Sequence, residues 1–242
     1  MEEIYENEAL GVLLTKYKKK QITSQEKSKL IEELLVEQAD FVDTKFINKL
    51  LMICDLNMKT TLWIDEDNIA MLFIRKYNIL KTPIEKVLKI LSKTDLDYQN
   101  KRGESVIYLL LKEDVPISFK NLLPFLQQIN LNQQDNTRIP IMYHILKKEN
   151  YFDKIQMIQL WNQCNNDTQQ NTFHKLVVDK VLKSIYFLIY DCQFQPDSET
   201  NQWLNNMKSI DILQMIEKRD VLWNLQKNML DDTKKTSKQV KL

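Results

Sequence analysis

Two stretches decide how this chain reads: NKRGESVIYLLLK at Asn100–Lys112 and DNTRIPIMYHILK at Asp135–Lys147. Neither carries a catalytic signature. At an offset of 35, Asn100 aligns with Asp135, Ser105 with Pro140, Ile107 with Met142, Tyr108 with Tyr143 and Lys112 with Lys147. Each copy sets apolar residues at i, i+3 and i+4, first Ile107, Leu110 and Leu111, then Met142, Ile145 and Leu146. That spacing is one side of a helix. The pattern returns at Phe173, Leu176 and Val177 and, more weakly, at Met71 and Ile74, so the anchors 71, 107, 142 and 173 lie 36, 35 and 31 apart. Behind the anchors, Ile90, Phe125 and Leu160 mark a second apolar helix, again 35 apart. The unit is therefore helix, short turn, helix and polar excursion. One such pair cannot bury its apolar faces alone, whereas stacked neighbours can.

Outside the copies the periodicity is also helical, with no convincing alternating strand, so the expected class is all-α. SQEKSKLIEELLVEQ puts Leu30, Ile31, Leu34 and Leu35 on one stripe, and Thr23 with Glu26 forms a capping-box start for it. Phe46, Ile47, Leu50, Leu51 and Cys54 form a second stripe. Thr82-Pro83-Ile84-Glu85 predicts an N-cap, a proline at the first helical position and a reciprocal glutamate. Helices of about 9 to 14 residues are expected, separated by turns rich in Asn, Asp and Gln. Since Asn and Asp tolerate left-handed backbone, they are the expected substitutes for glycine in those turns.

Composition narrows the function. The 242 residues are 43% hydrophobic and 28% charged, enough for a core, with 34 Lys+Arg against 33 Asp+Glu. A dedicated nucleic-acid binder is more basic than that. Glycine occurs only at Gly11 and Gly103, too sparse for either phosphate-cradling glycine motif. Histidine is confined to His144 and His174. The cysteines Cys54, Cys164 and Cys192 are odd in number with no CxxC pair, which points to reduced thiols rather than disulfides or zinc. The acidic, polar N-terminus is unlike a targeting peptide, and no apolar run approaches the ~20 residues of a membrane span. The expectation is an intracellular protein, cytoplasmic or nuclear, that uses no cofactor, metal or small-molecule substrate.

The copies resemble ankyrin repeats, whose first helix opens on an Asp-x-x-Gly-x-Thr-Pro-Leu-His-like signature. Asn100, Gly103, Ser105, Val106, Ile107 and Tyr108 match it in one copy. Asp135, Ile141, Met142 and Tyr143 match in the next, with Arg138 for the glycine and Pro140 for the threonine. Phe173 and His174 take the Leu-His places of the third. The resemblance spans residues 63–218 and lacks the glycines usual in the family's turns. It implies a solenoid of stacked antiparallel helix pairs, with residues 1–62 and 219–230 as capping segments and 231–242 as a flexible tail. It further implies a concave recognition face with projecting loops at Leu96–Arg102, Leu131–Arg138 and Cys164–Gln170. The partner-contacting residues would then be Tyr98, Lys101, Arg102, Gln133, Gln134, Arg138 and Gln169, with Trp203 and Trp223 as further anchors.

Other features admit sharper readings. His174 with Cys164 or Cys192 suggests a nucleophile and base, but His174 falls at the signature's structural histidine, which the resemblance assigns to hydrogen bonding between turns. The acidic group Asp65–Asn68 suits a cation or, in the favoured reading, the start of a following helix. Lys16, Lys18, Lys19 and Lys20 are candidate phosphate contacts, although lysines also suit the C-terminal end of a helix. Trp161 is expected in the core. The expected function is a non-enzymatic protein-binding module, an adaptor or a subunit of a larger complex. The alternatives are an inhibitor masking its target's functional surface, or a helical subunit of a nucleic-acid-associated complex using the lysine cluster.

Overall fold

The structure, a computed structural model, describes residues 8–37, 49, 51–61, 65–80, 82–148 and 153–239. Phe46, Ile47, Leu50 and Trp63, all singled out by the sequence, lie outside these residues. Two compact units are present, residues 1–145 and 146–242. The first holds α1 (Glu8–Lys18), α2 (Ser24–Glu37), α3 (Ile69–Arg75), α4 (Tyr77–Leu80), α5 (Ile84–Leu91), α6 (Val106–Lys112), α7 (Phe119–Leu126) and most of α8 (Ile141–Lys147). The second holds α9 (Lys154–Gln163), α10 (Asn166–Val178), α11 (Leu182–Tyr186), a π-helical turn at Phe187–Asp191, α12 (Ser198–Asn206) and α13 (Ile210–Gln239). Among the described residues the fold is all-α, and β pairing is limited to two isolated antiparallel bridges, Lys59 with Asn68 and Gln134 with Pro140.

Local chemistry explains where the helices begin. Ahead of α2, the Thr23 N–H donates to Glu26 Oε2 at 2.9 Å while the Glu26 N–H donates to Thr23 Oγ1 at 3.2 Å, the reciprocal pair the sequence predicts. At Thr82–Glu85 the helix begins one residue later than predicted: Pro83 is the N-cap of α5, without a side-chain cap of its own, and its φ of −55° is the value the proline ring sets. Asn68 caps α3 by accepting from the Met71 N–H at 2.9 Å, and Ser105 caps α6 through the Tyr108 N–H at 3.3 Å.

In the first unit α1 packs on α2, α2 on α3 and α3 on α6. The repeat helices α3, α6 and α8 are seven residues each, shorter than the periodicity implied. They are also buried all round: Ile69 through Ile74 are 0% exposed and Val106 through Leu111 no more than 3%. A helix so placed buries every apolar side chain, not only a stripe. Each apolar residue of these three helices is thus core, while the closing Lys112 and Lys147 stay exposed.

Glycine's absence from the turns is met differently from expectation. Among the described residues the left-handed positions are Lys20, Glu66, Asp114, Arg138, Lys180, Gln193 and Lys208, besides Gly103, so Asn is unused there and Asp appears once. Three of them close helices by one arrangement. After α1 the Lys20 N–H reaches Tyr17 O at 3.0 Å and the Gln21 N–H reaches Lys16 O at 3.0 Å. Lys180 and Val181 repeat this on Val177 and Leu176, and Lys208 and Ser209 on Asn205 and Leu204. Satisfying the last helical carbonyls offsets the roughly 1–2 kcal/mol that a left-handed non-glycine residue costs.

The second unit departs from the repeat. Phe173, Leu176 and Val177 are buried as expected. Yet their helix, α10, runs thirteen residues from an N-cap at Asn165, whose side chain accepts from the Thr168 N–H at 2.8 Å. Residues 166–170 are therefore the start of a helix and not a projecting loop. Trp161 is 1% exposed and meets Phe194 edge-on at 5.5 Å. At the C-terminus, the expected separate cap at 219–230 and flexible tail are one continuous helix, α13, to Gln239. Neither glycine nor proline occurs after Pro196, so nothing covalent ends it earlier. Leu222 and Leu225, expected either to close the stack or to dock into a partner groove, are 53% and 54% exposed. No helix among the described residues is long and apolar enough to cross a membrane.

Candidate partner-binding surface

The two hairpins quoted at the outset share one construction. The Asn100 N–H bonds Glu104 O at 3.0 Å, and the Asp135 N–H bonds Ile139 O at 3.1 Å. The tip closes through the Gly103 N–H on Asn100 O at 3.0 Å and the Arg138 N–H on Asp135 O at 2.9 Å. Inside each, one side-chain oxygen takes two backbone N–H groups. Asn100 Oδ1 accepts from Arg102 and Glu104 at 2.9 and 3.0 Å, and Asp135 Oδ1 from Thr137 and Ile139 at 2.8 and 2.9 Å. Burial would raise the Asp135 carboxyl, but the bonds from Thr137, Ile139 and Tyr108 outweigh it and hold it below the usual value. The first, Asn or Asp, residue of each copy is therefore the organiser of its hairpin.

Successive hairpins are joined through their backbones. The Lys101 N–H donates to Asp65 O at 2.8 Å, and the Asn136 N–H to Arg102 O at 2.8 Å, with Asn136 Nδ2 on Lys101 O at 2.6 Å. The tips carry left-handed residues in register, Glu66 at φ 56°, Gly103 at 75° and Arg138 at 62°.

Beneath the hairpins lies a charge cluster that the sequence reading passed over. Arg75 donates from Nε to Asp67 Oδ2 and from Nη2 to Glu104 Oε2, each at 2.6 Å, and Lys112 Nζ donates to Glu104 Oε1 at 2.6 Å. Asn100 Nδ2 adds bonds to Asp67 Oδ1 at 2.6 Å and Glu104 Oε2 at 3.2 Å. The Asp67 and Glu104 side chains are 0% and 1% exposed. Burial pushes the Glu104 carboxyl up, yet the bonds from Lys112, Asn100 and Arg75 more than reverse this and hold it below the ordinary carboxylate range. The arrangement explains Lys112, the lysine that closes its copy. Each acid stands just before an N-cap, and eight residues later a cation pairs with it, Arg75 with Asp67 and Lys112 with Glu104. Arg75 then reaches the next copy's acid. Ile139 occupies the corresponding place before α8, so the chain of acids stops there.

The expected contact residues differ in where they stand. Tyr98, Lys101 and Arg102 are brought together, but against the preceding loop. Tyr98 donates to Glu66 O at 2.5 Å, Lys101 pairs with Glu66 at 3.0 Å and Arg102 with Asp65 at 2.8 Å. Lys101 and Arg102 keep more than half of their side chains exposed. Arg138 is exposed at its tip, and Gln134 is half-buried beside the bridge to Pro140. Gln133 is corrected to a structural residue: it is buried, and its amide reaches Asp97 Oδ1 at 3.3 Å. In the second unit Gln169 is likewise turned inward, donating to Trp161 O at 3.0 Å and Cys164 O at 3.3 Å, which caps the end of α9. Trp203 is half-buried with its ring edge-on to His174 at 3.6 Å, while Trp223 is 49% exposed.

The more reactive readings receive no geometric support. Burial raises all three thiols to about 12, so they stay protonated near neutrality. Burial also lowers His174, against the pull of Glu199, and its Nε2 meets no hydrogen-bond partner among the described residues, unlike the inter-turn bond expected of it. In the acidic group, Asn68 caps, Asp67 and Asp65 hold arginines and Glu66 holds a lysine. Among the basic residues Lys16 is committed to Glu26 at 2.5 Å, leaving Lys18, Lys19 and Lys20 exposed. No protein-family model matches the chain, and no curated protein or solved structure matches it either.

Proposed function

We propose that this chain is a non-enzymatic protein-binding module of ankyrin-like helical repeats, acting as an adaptor or a subunit of a larger complex. The observation that carries the reading is on α13, where Val221, Leu222, Trp223 and Leu225 are each between 49% and 59% exposed. At about 100° per residue Val221, Leu222 and Leu225 share one side of the helix and Trp223 turns onto the adjoining side, and exposed apolar side chains grouped in this way mark contact surfaces. Tryptophan is moreover the residue type most enriched among binding anchors. The hairpins offer a second, polar element in Arg102 and Arg138. The 35-residue recurrence of turn bonds and tip conformations supports the ankyrin-like part of the reading.

The test is recovery of the tagged chain from its native cell at moderate salt, beside two folded variants, Leu222→Ser/Leu225→Ser and Arg102→Glu/Arg138→Glu. A stoichiometric protein that the leucine variant no longer retains is the expected result. Loss in the arginine variant as well would bring the hairpin tips into the same interface. A partner retained by both variants, or none, would contradict the proposal.

A further inference from the structure

We infer that Lys18, Lys20, Lys27 and Lys49 form a binding cleft for a small ligand carrying two or more phosphate groups. The inference goes beyond protein binding and is independent of it. The cleft encloses about 370 Å³, with Tyr17 and Ile53 among its walls. Its lysines come from separate places in the chain: the last turn of α1, the left-handed residue after it, the first turn of α2 and Lys49. The sequence offered only the contiguous run, of which Lys16 and Lys19 do not line the cleft.

Charge is sorted around this site. Across the chain cations exceed anions by one, yet among the described residues that line the cleft there are four ammonium groups and no carboxylate. The nearest acid by sequence, Glu26, is already taken by Lys16 Nζ and the Thr23 N–H. None of the four lysines makes an ion pair with a described residue. Four cations around one concavity repel one another weakly in water and salt, so the fold tolerates them. A multivalent anion would instead attract all four at once. Lysine binds phosphate as a point charge without demanding one geometry, which suits a ligand with several phosphates more than a single carboxylate. The volume lies in the range of small-molecule sites and admits a ligand of nucleotide size. Tyr17 and Ile53 supply apolar wall against which a non-phosphate portion can pack.

The experiment is calorimetric titration of the full chain with inorganic tripolyphosphate, and in parallel with ATP, at about 50 mM salt, where surface charge is weakly screened. Saturable binding of one ligand per chain is expected, weakened about tenfold or more by Lys18→Gln/Lys20→Gln/Lys27→Gln, in line with the loss of three charged contacts. The pair Lys18→Gln/Lys49→Gln tests the same cleft should the triple variant fold poorly. Lys86→Gln/Lys89→Gln/Lys120→Gln removes equal charge from exposed positions outside the cleft and should leave affinity within about twofold. Tighter ATP binding would assign a nucleoside portion to the Tyr17 wall, and equal affinity would assign bare polyphosphate. Absence of saturable binding, equal weakening by both triple variants, or binding of single-stranded RNA with tripolyphosphate silent would overturn the inference.

Discussion

Gly103 and Arg138 hold the same place in two hairpins, yet they differ in what surrounds them. A Cβ added at Gly103 would lie 2.9 Å from Gln134 O and 3.1 Å from Asp135 Cα, in the backbone of the next hairpin. Gly103→Ala is therefore expected to destabilise by about 2 kcal/mol or more, combining left-handed strain with a backbone clash. Arg138→Gly relieves the strain without such a contact and should be neutral or stabilising by up to about 1 kcal/mol, both read from urea unfolding. Arg75→Ala leaves Asp67 and Glu104 buried without their shared cation and should cost about 3–5 kcal/mol. The same cluster sets a pH dependence. Glu104 has a folded value below its unfolded one, so its stabilisation is present above the unfolded value and is lost as pH falls through the folded one. Glu104→Gln should flatten the acid limb of the stability curve. These residues were only partly legible in the sequence. The hairpin organisers Asn100 and Asp135 and the closing lysine stood out because they recur. The acids did not, because Asp67 reads as one of a polar group and Ile139 breaks the series in the copy that opens on Asp135.

Among the elements, α2 is the clearest case of sequence dictating structure, since Thr23, Glu26 and the Leu30–Leu35 stripe all do what their spacing implies. Glu26 is held down to about 2 by hydrogen bonds from the Lys16 side chain and from Thr23. Its contribution is thus complete above its ordinary value of 4.5 and fades as pH falls from there to about 2. Thr23→Ala should cost about 1 kcal/mol and loosen α2, which amide exchange in that helix would detect. Ser105→Ala should cost a similar ~1 kcal/mol through the start of α6. Helix ends were the least legible part. The left-handed lysines after α1, α10 and α12 satisfy backbone carbonyls, and nothing in a lysine's own preferences announces that role. α5 shows the converse, a strong start signal whose helix begins one residue later than predicted.

For the molecule as a whole, the 35-residue recurrence marked two matching hairpins in the first unit, at residues 100–104 and 135–139, because Asn100 and Asp135 organise them in the same way. It overreached in residues 146–242, where Phe173 keeps the apolar spacing of a repeat but sits in a long capped helix with no hairpin before it. Apolar spacing alone cannot distinguish the two, since both keep the i, i+3 and i+4 positions in the core. On α13 the sequence marked Trp223 as a contact anchor and left Leu222 and Leu225 either to close the stack or to dock into a partner groove; their exposure fits the second reading. The central claim is that each hairpin is held by the next, and native-state hydrogen exchange of the Lys101 and Asn136 amides tests it most directly. Both amides should open together with the buried amides of α3 and α6, and Arg75→Ala should lower the protection of all of them in common. Rapid exchange of Lys101 and Asn136 while α3 and α6 remain protected would contradict it, for the hairpins would then be independent loops resting on a separate helical core.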